Sequence, residues 1–289
     1  MTQGTAGSQT SRLTTLHVAS RGKPLFVFPG VHEEPSSFGA LAEQLGDGRT
    51  VYAFQHVGAA QECAPVRQVS RLAQLYAAEL RAAEPHAPYY LLGHGIGGVI
   101  AFEVARELDS QGQKVGLVIM ADCPAPGHPK HVGVLRRVRA HVSAWAQTPS
   151  AARARYLRAQ LQELREQLSE LVRMDPQNRH HRREPRYLQR VAAALYEAYR
   201  HYRPSPQCVD VLFLNAERPS EWTPIMPVDP LLGWGPALRG RIMHWTQQTG
   251  SCLFAPSALT ATAERIDDAL VQAELRRKRQ SPAPLPAAG

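Results

Sequence analysis

The 289-residue chain is 44% hydrophobic, carries a net charge of +8 and holds four scattered cysteines, Cys63, Cys123, Cys208 and Cys252. It has no run of about eighteen apolar residues, so no membrane span is expected, and its polar opening, MTQGTAGSQTSR, lacks the apolar core of a secretory signal. Without C-x-x-C spacing, neither a disulfide framework nor a thiolate metal site is indicated, and a reducing cytoplasm is the expected compartment.

Residues 1–23 read as a flexible arm. PLFVFPG (24–30) is a short apolar run closed by Pro-Gly, the pattern of a buried strand. Ser36, Phe38, Leu41 and Leu45 suggest a short helix after it. TVYAFQ (50–55) is a second strand, and Val69, Leu72, Leu75, Tyr76 and Leu80 recur at helical spacing. YYLLG (89–93) is a third strand. GVIAFEVARELDSQG is a helix that Gly112 ends, and KVGLVIMAD (114–122) is a fourth strand. Strands alternating with helices over short connections predict a parallel sheet covered on both faces.

From 127 to 207 no strand is indicated. Leu157, Leu161, Leu164, Leu168 and Leu171 mark an amphipathic helix, and Leu188, Val191, Leu195, Tyr196 and Tyr199 mark a second. Residues 128–210 hold sixteen Lys/Arg against seven acids, an excess larger than that of the whole chain. Such a segment suits an acidic partner or nucleic acid, or is simply a solvated face. Nucleic acid is the weaker choice, because the basic helix lacks interleaved aromatics. Strands return at 209–216 and 240–247. A helix over about 257–277 follows, with Leu259, Ala263, Ile266, Leu270 and Val271 on one face, and a Pro/Ala tail covers 279–289.

One motif reads two ways. Gly93, Gly95 and Gly98 spell G-x-G-x-x-G, and Asp122 follows at the end of the next strand, as in a dinucleotide site. The same residues look like a nucleophile elbow, G-x-S-x-G, with glycine in place of serine. The dinucleotide motif normally opens its domain on the first strand, and here it stands on the third, which favours the elbow.

PLFVFPG with SSFGALAEQL, the stretch HAPYYLLGHGIGGVIAFEVARELDSQGQKVGLVIMAD, YRP (202–204) and DPLLGW (229–234) together resemble the thioesterase domains of nonribosomal peptide and polyketide synthases and the stand-alone type II thioesterases that serve them. The resemblance implies an α/β-hydrolase fold: one domain over 24–278, with a mostly parallel sheet, helices on both faces and a helical lid inserted at about 127–207. It also implies a carrier protein as partner, engaged through the basic lid region, with the acyl chain delivered on a phosphopantetheine arm. No other cofactor, no metal and no membrane are expected.

The family's relay runs Ser, Asp, His. By position the resemblance puts Gly95 at the nucleophile, Asp122 at the acid and Cys252 at the histidine. Val31 and Ile96 would supply the oxyanion N–H groups, although His32, Glu33 and Glu34 stand where the family has small residues. Losing nucleophile or base alone costs on the order of a million-fold in serine hydrolases, so ordinary hydrolysis is not expected. His94 is read as a packing residue. His32, Glu33 and His244 are candidates for a replacement acid or base. The readings left open are a degenerate binder of carrier-bound thioesters and a non-covalent cyclase, isomerase or acyl-transfer catalyst in the same cavity.

Overall fold

The computed structural model describes residues 12–61, 63–128, 185–217, 229–248 and 252–280. Among them lie seven strands: β1 (Leu13–His17), β2 (Leu25–Phe28), β3 (Val51–Phe54), β4 (Tyr89–His94), β5 (Val115–Ala121), β6 (Val211–Glu217) and β7 (Ile242–Gln248). They form one sheet in the order β1-β3-β2-β4-β5-β6-β7. β1 runs antiparallel to β3, and the other neighbours are parallel.

The parallel strands are apolar throughout because helices cover both faces. Side chains alternate between two cores, as strand pleating requires. Phe26, Phe28, Leu91, Met120 and Phe213 point to one side, where α2 (Val69–Ala83), α3 (Ile96–Ser110) and α4 (Arg186–His201) pack. Val27, Leu92, Ile119 and Leu214 point to the other, against α1 (Gly39–Leu45) and α5 (Pro256–Gln280). Each such side chain taken out of water contributes about 1.5–3 kcal/mol. α3 is buried on nearly every side from Ile96 to Leu108. α2 buries only its Val69, Leu72, Ala73, Tyr76, Ala77 and Leu80 stripe, which matches the helical spacing read from sequence.

Two pieces of the resemblance have structural work. Asp229 caps the turn of DPLLGW by accepting N–H bonds from Leu231 and Gly233, and Trp234 is wholly buried with its indole N–H on the Cys123 carbonyl at 2.8 Å. Tyr202 of YRP donates its hydroxyl to the buried Glu103 at 2.7 Å.

The arm expected over 1–23 is corrected in part. Leu13–His17 is an edge strand, with Leu13 opposite Phe54. Its polar LTTLH pattern looks like an arm because only one β neighbour holds it and its threonines face water. Arg12 secures it by ion-pairing with Glu79 of α2. The last helix runs on to Gln280, past the expected start of the tail, and Val271 is exposed rather than on the core face. The expected helix over 155–173, and residues 129–184 of the expected lid, lie outside the described residues. The described part of that segment, α4, packs Val191, Leu195 and Ala198 into the core.

The β4–α3 turn is set by glycines. A Cβ on Gly97 would run into the carbonyl oxygens of Phe28 and Pro29, and one on Gly98 would stand 2.6 Å from Cys123 Sγ. Gly95 differs: it sits at φ 53°, ψ −121°, and a Cβ there would meet nothing within 4 Å. A left-handed backbone of this kind costs a non-glycine residue about 1–3 kcal/mol. Gly95→Ala should therefore fold with a stability loss of that size in urea melts, whereas Gly97→Ala should give little or no folded protein.

Candidate functional site

Ligands of open parallel sheets bind beyond the carboxyl ends of the strands. Here that edge collects residues from four strand ends: Gly30 to Glu33 after β2, His94 at the end of β4 with Gly95 after it, Asp122 after β5, and Cys252 and Phe254 after β7. The sharp turn at Gly95 projects position 95 from the sheet into open space. The Gly95 N–H donates to the Ala121 carbonyl at 2.9 Å, which ties the turn to β5. Ile96 begins α3, so its N–H belongs to the first turn, which has no intrahelical acceptor and a positive dipole end.

The loop after β2 folds back on itself. Glu33 N–H donates to the Gly30 carbonyl at 3.1 Å, and Glu33 Oε2 accepts the Gly30 N–H at 2.6 Å. The other carboxylate oxygen, Oε1, lies 2.7 Å from His94 Nδ1. Buried His56 also bonds the Gly30 carbonyl through Nε2 at 2.8 Å, and burial lowers its pKa, keeping it neutral.

His94 is the centre of this cluster. Its Nδ1 lies 2.7 Å from Glu33 Oε1, Nε2 stands 4.0 Å from Asp122 Oδ2, Phe254 meets the ring at 5.3 Å between centroids, and Cys252 stands near enough to act on its protonation. Burial acts to neutralise His94, but the proximity of Cys252 and the bond to Glu33 with its carboxylate charge outweigh it and raise its pKa to about 10. Burial likewise opposes ionisation of Glu33, yet the bond and charge of His94, with the Gly30 N–H, hold its carboxyl below the usual range. Cys252 Sγ also accepts the Phe254 N–H at 3.5 Å.

Asp122 stands at φ 43° after β5, and its Oδ1 accepts the Ala216 N–H at 2.7 Å. It thus occupies the edge where the acid was expected. Of the replacement candidates, Glu33 joins the cluster through His94. His32 leaves it, lying beside Tyr196 of α4 with 6.2 Å between ring centroids. His244 sits within β7, level with Phe213 and Met120, and bonds Asn215 and Thr246 at 3.1 Å each. His94, read from sequence as a packing residue, does pack against Phe254, and it is also the ion-pair partner of Glu33, which sequence reasoning missed. The available signal was the unusual charge of Glu33 in the loop facing the elbow. Among the described residues no group of three or more His, Cys, Asp or Glu has the geometry of a metal site, and no helix is long and apolar enough to cross a membrane.

The ion pair sets a pH dependence. His94 has a folded pKa above its unfolded value of about 6.5, so its stabilisation is complete below that value and is lost as pH rises toward about 10. Glu33→Gln should then cost more stability near pH 6 than near pH 10 in denaturant melts. NMR of the His94 ring should show it protonated at about pH 8 in the unaltered chain and titrating lower in Glu33→Gln.

The thioesterase domain model matches residues 23–221. Indigoidine synthase of Streptomyces lavendulae is 31% identical over 123 residues, which make up 42% of this chain and 9% of that protein. Polyketide synthase PksR of Bacillus subtilis is 33% identical over 112 residues, 39% of this chain and 4% of that protein. The chain thus spans under a tenth of the length of these synthases. Among solved structures, the type II thioesterase BorB from the borrelidin biosynthetic cluster is similar at a TM-score of 0.60 and 20% identity, covering 91% of this chain and 97% of that one. YbtT, the type II thioesterase from the yersiniabactin pathway, gives 0.60 and 21%, covering 91% and 99%. At such identities the likeness shows the shared α/β-hydrolase fold. The matched segment reaches from β2 to β6 and takes in the elbow and Asp122, and on that ground the chain belongs to the thioesterase domain family.

Proposed function

We propose that the protein receives acyl or peptidyl thioesters from the phosphopantetheine arm of a carrier protein in polyketide or nonribosomal peptide assembly, and that it does not process them by the serine route of its family. The observation that carries this reading is the elbow, which keeps its left-handed turn and open side-chain space around a glycine. The thioester carbonyl fits the vacated space, with its oxygen toward the Val31 and Ile96 N–H groups. Gly95 supplies no attacking atom, so the serine step is absent whatever else the site does.

The charge distribution supports a carrier as partner. Arg186, Arg190, Arg200 and Arg203 are exposed on and beside α4, within the segment whose sixteen Lys/Arg face seven acids. Carrier proteins of this family's systems are generally acidic, and attraction between exposed charges speeds encounter and is screened by salt. The identities of the synthases among the relatives point to the same setting.

Binding to purified carrier proteins, by calorimetry or fluorescence anisotropy, tests this. An acyl-loaded carrier should bind tighter than the same carrier without its arm, and the binding should weaken as salt rises. Gly95→Phe fills the space above the elbow and should abolish the preference for the loaded form while circular dichroism confirms folding. Equal affinity with and without the arm, or no binding to any carrier, would sink the reading.

A further inference from the structure

The elbow lacks a nucleophile, yet three groups beside it make a relay the family order does not include. Glu33 Oε1 holds His94 Nδ1 at 2.7 Å, and Glu33 is itself fixed by the Gly30 N–H at 2.6 Å. With Nδ1 so occupied, Nε2 is the ring nitrogen left to face Asp122, 4.0 Å away, and Cys252, which acts on the same ring. Phe254 packs against the ring at a near-perpendicular angle, with 5.3 Å between centroids. Cys252 is exposed, and the Phe254 N–H points at its sulfur from 3.5 Å. A thiol beside an imidazole that a carboxylate orients is the arrangement of an activated nucleophile.

We propose that Cys252 is the covalent acyl acceptor of this protein, with His94 as its acid and base and Glu33 as the residue that positions His94. Nucleophile and base have exchanged places: the base now stands beside the elbow, and the nucleophile comes from the loop after β7. The inference rests on the reading above for its substrate and on the Cys252–His94–Glu33 geometry for its chemistry.

The steps balance. His94 starts protonated, so Cys252 Sγ, having already given up its proton to Nε2, bonds to the thioester carbonyl carbon as the thiolate. The carbonyl oxygen takes the electron pair and lies against the Val31 and Ile96 N–H groups. Collapse breaks the bond from that carbon to the arm's sulfur, which leaves with the proton from His94. Acyl-Cys252 and a free carrier thiol remain. Neutral His94 then takes a proton from water, the water oxygen attacks the acyl carbon, and the carbon–Sγ bond breaks with its electron pair returning to Sγ, which restores the thiolate beside protonated His94. The carboxylic acid departs. One thioester replaces another in the first half, so no oxidant, metal or further reactant is needed.

Because Cys63 and Cys208 are also exposed, they serve as internal references. Iodoacetamide labelling of the full chain at about pH 6, resolved by peptide mass spectrometry, should modify Cys252 about tenfold faster or more than either reference. His94→Gln should erase the difference. Glu33→Gln should move the midpoint of the Cys252 labelling profile toward that of the references, and Glu33→Asp should restore part of it. Equal labelling of the three cysteines in the unaltered chain overturns the relay. In parallel, acetyl-, butyryl- and octanoyl-N-acetylcysteamine should each be tried for an acyl adduct, expected on Cys252, absent in Cys252→Ala and kept in Cys208→Ser. Rapid labelling without an adduct from any of them overturns the covalent step. An adduct from the small thioesters with no binding to any loaded carrier upholds the relay and overturns the carrier reading. Carrier binding with no adduct does the reverse.

Discussion

The close approach of α3 to the sheet governs everything at the carboxyl edge. Gly97 lies so near the carbonyls of Phe28 and Pro29 that no side chain fits between helix and strand. β4 must therefore turn into α3 within a single residue, and Gly95 takes up the whole change of direction at φ 53°. That turn fixes where position 95 projects, aims the first N–H groups of α3 over the same space, and leaves His94 beside the loop that follows β2. The buried wall of α3, from Ile96 to Leu108, is what holds the turn in place.

His94 and Glu33 depend on that placement. A charged pair with side chains 18% and 25% exposed pays heavily in lost hydration unless its remaining hydrogen-bonding groups are met. Here they are met: Glu33 takes the Gly30 N–H with its second oxygen, and His94 turns its other side to Cys252. The loop after β2 accommodates a charge at Glu33 for this reason. Asp122, held by the Ala216 N–H, adds negative charge on the far side of the same imidazole.

Much of the fold was legible because it rests on local pattern. The strands 24–30, 50–55 and 114–122 declare themselves as apolar runs, and the α2 stripe from Val69 to Leu80 keeps its helical spacing. β1 did not, since two threonines and a single neighbouring strand make Leu13–His17 indistinguishable from an arm until Phe54 is seen opposite. At the site, the family resemblance singled out Gly95, Asp122 and Cys252, and all three lie at the carboxyl edge of the sheet. The meeting of Glu33 with His94 was hidden, because 61 residues separate them and only the parallel pairing of β2 with β4 brings their loops together. His32, one residue from Glu33, points instead toward α4, a difference that no spacing rule in a loop anticipates.

The open elbow also bears on how such a site persists. A folded domain commonly holds only about 5–15 kcal/mol of net stability, and a serine at φ 53° would draw about 1–3 of it. Thermodynamically, glycine is the resting choice at this turn, and a side chain survives there only where selection for its chemistry outweighs the strain. Once another group carries the reaction, or once binding suffices, mutation toward glycine is favoured by stability itself, and return to serine runs uphill. The strain at position 95 therefore gives drift at this turn a direction, toward glycine wherever selection does not hold a side chain there.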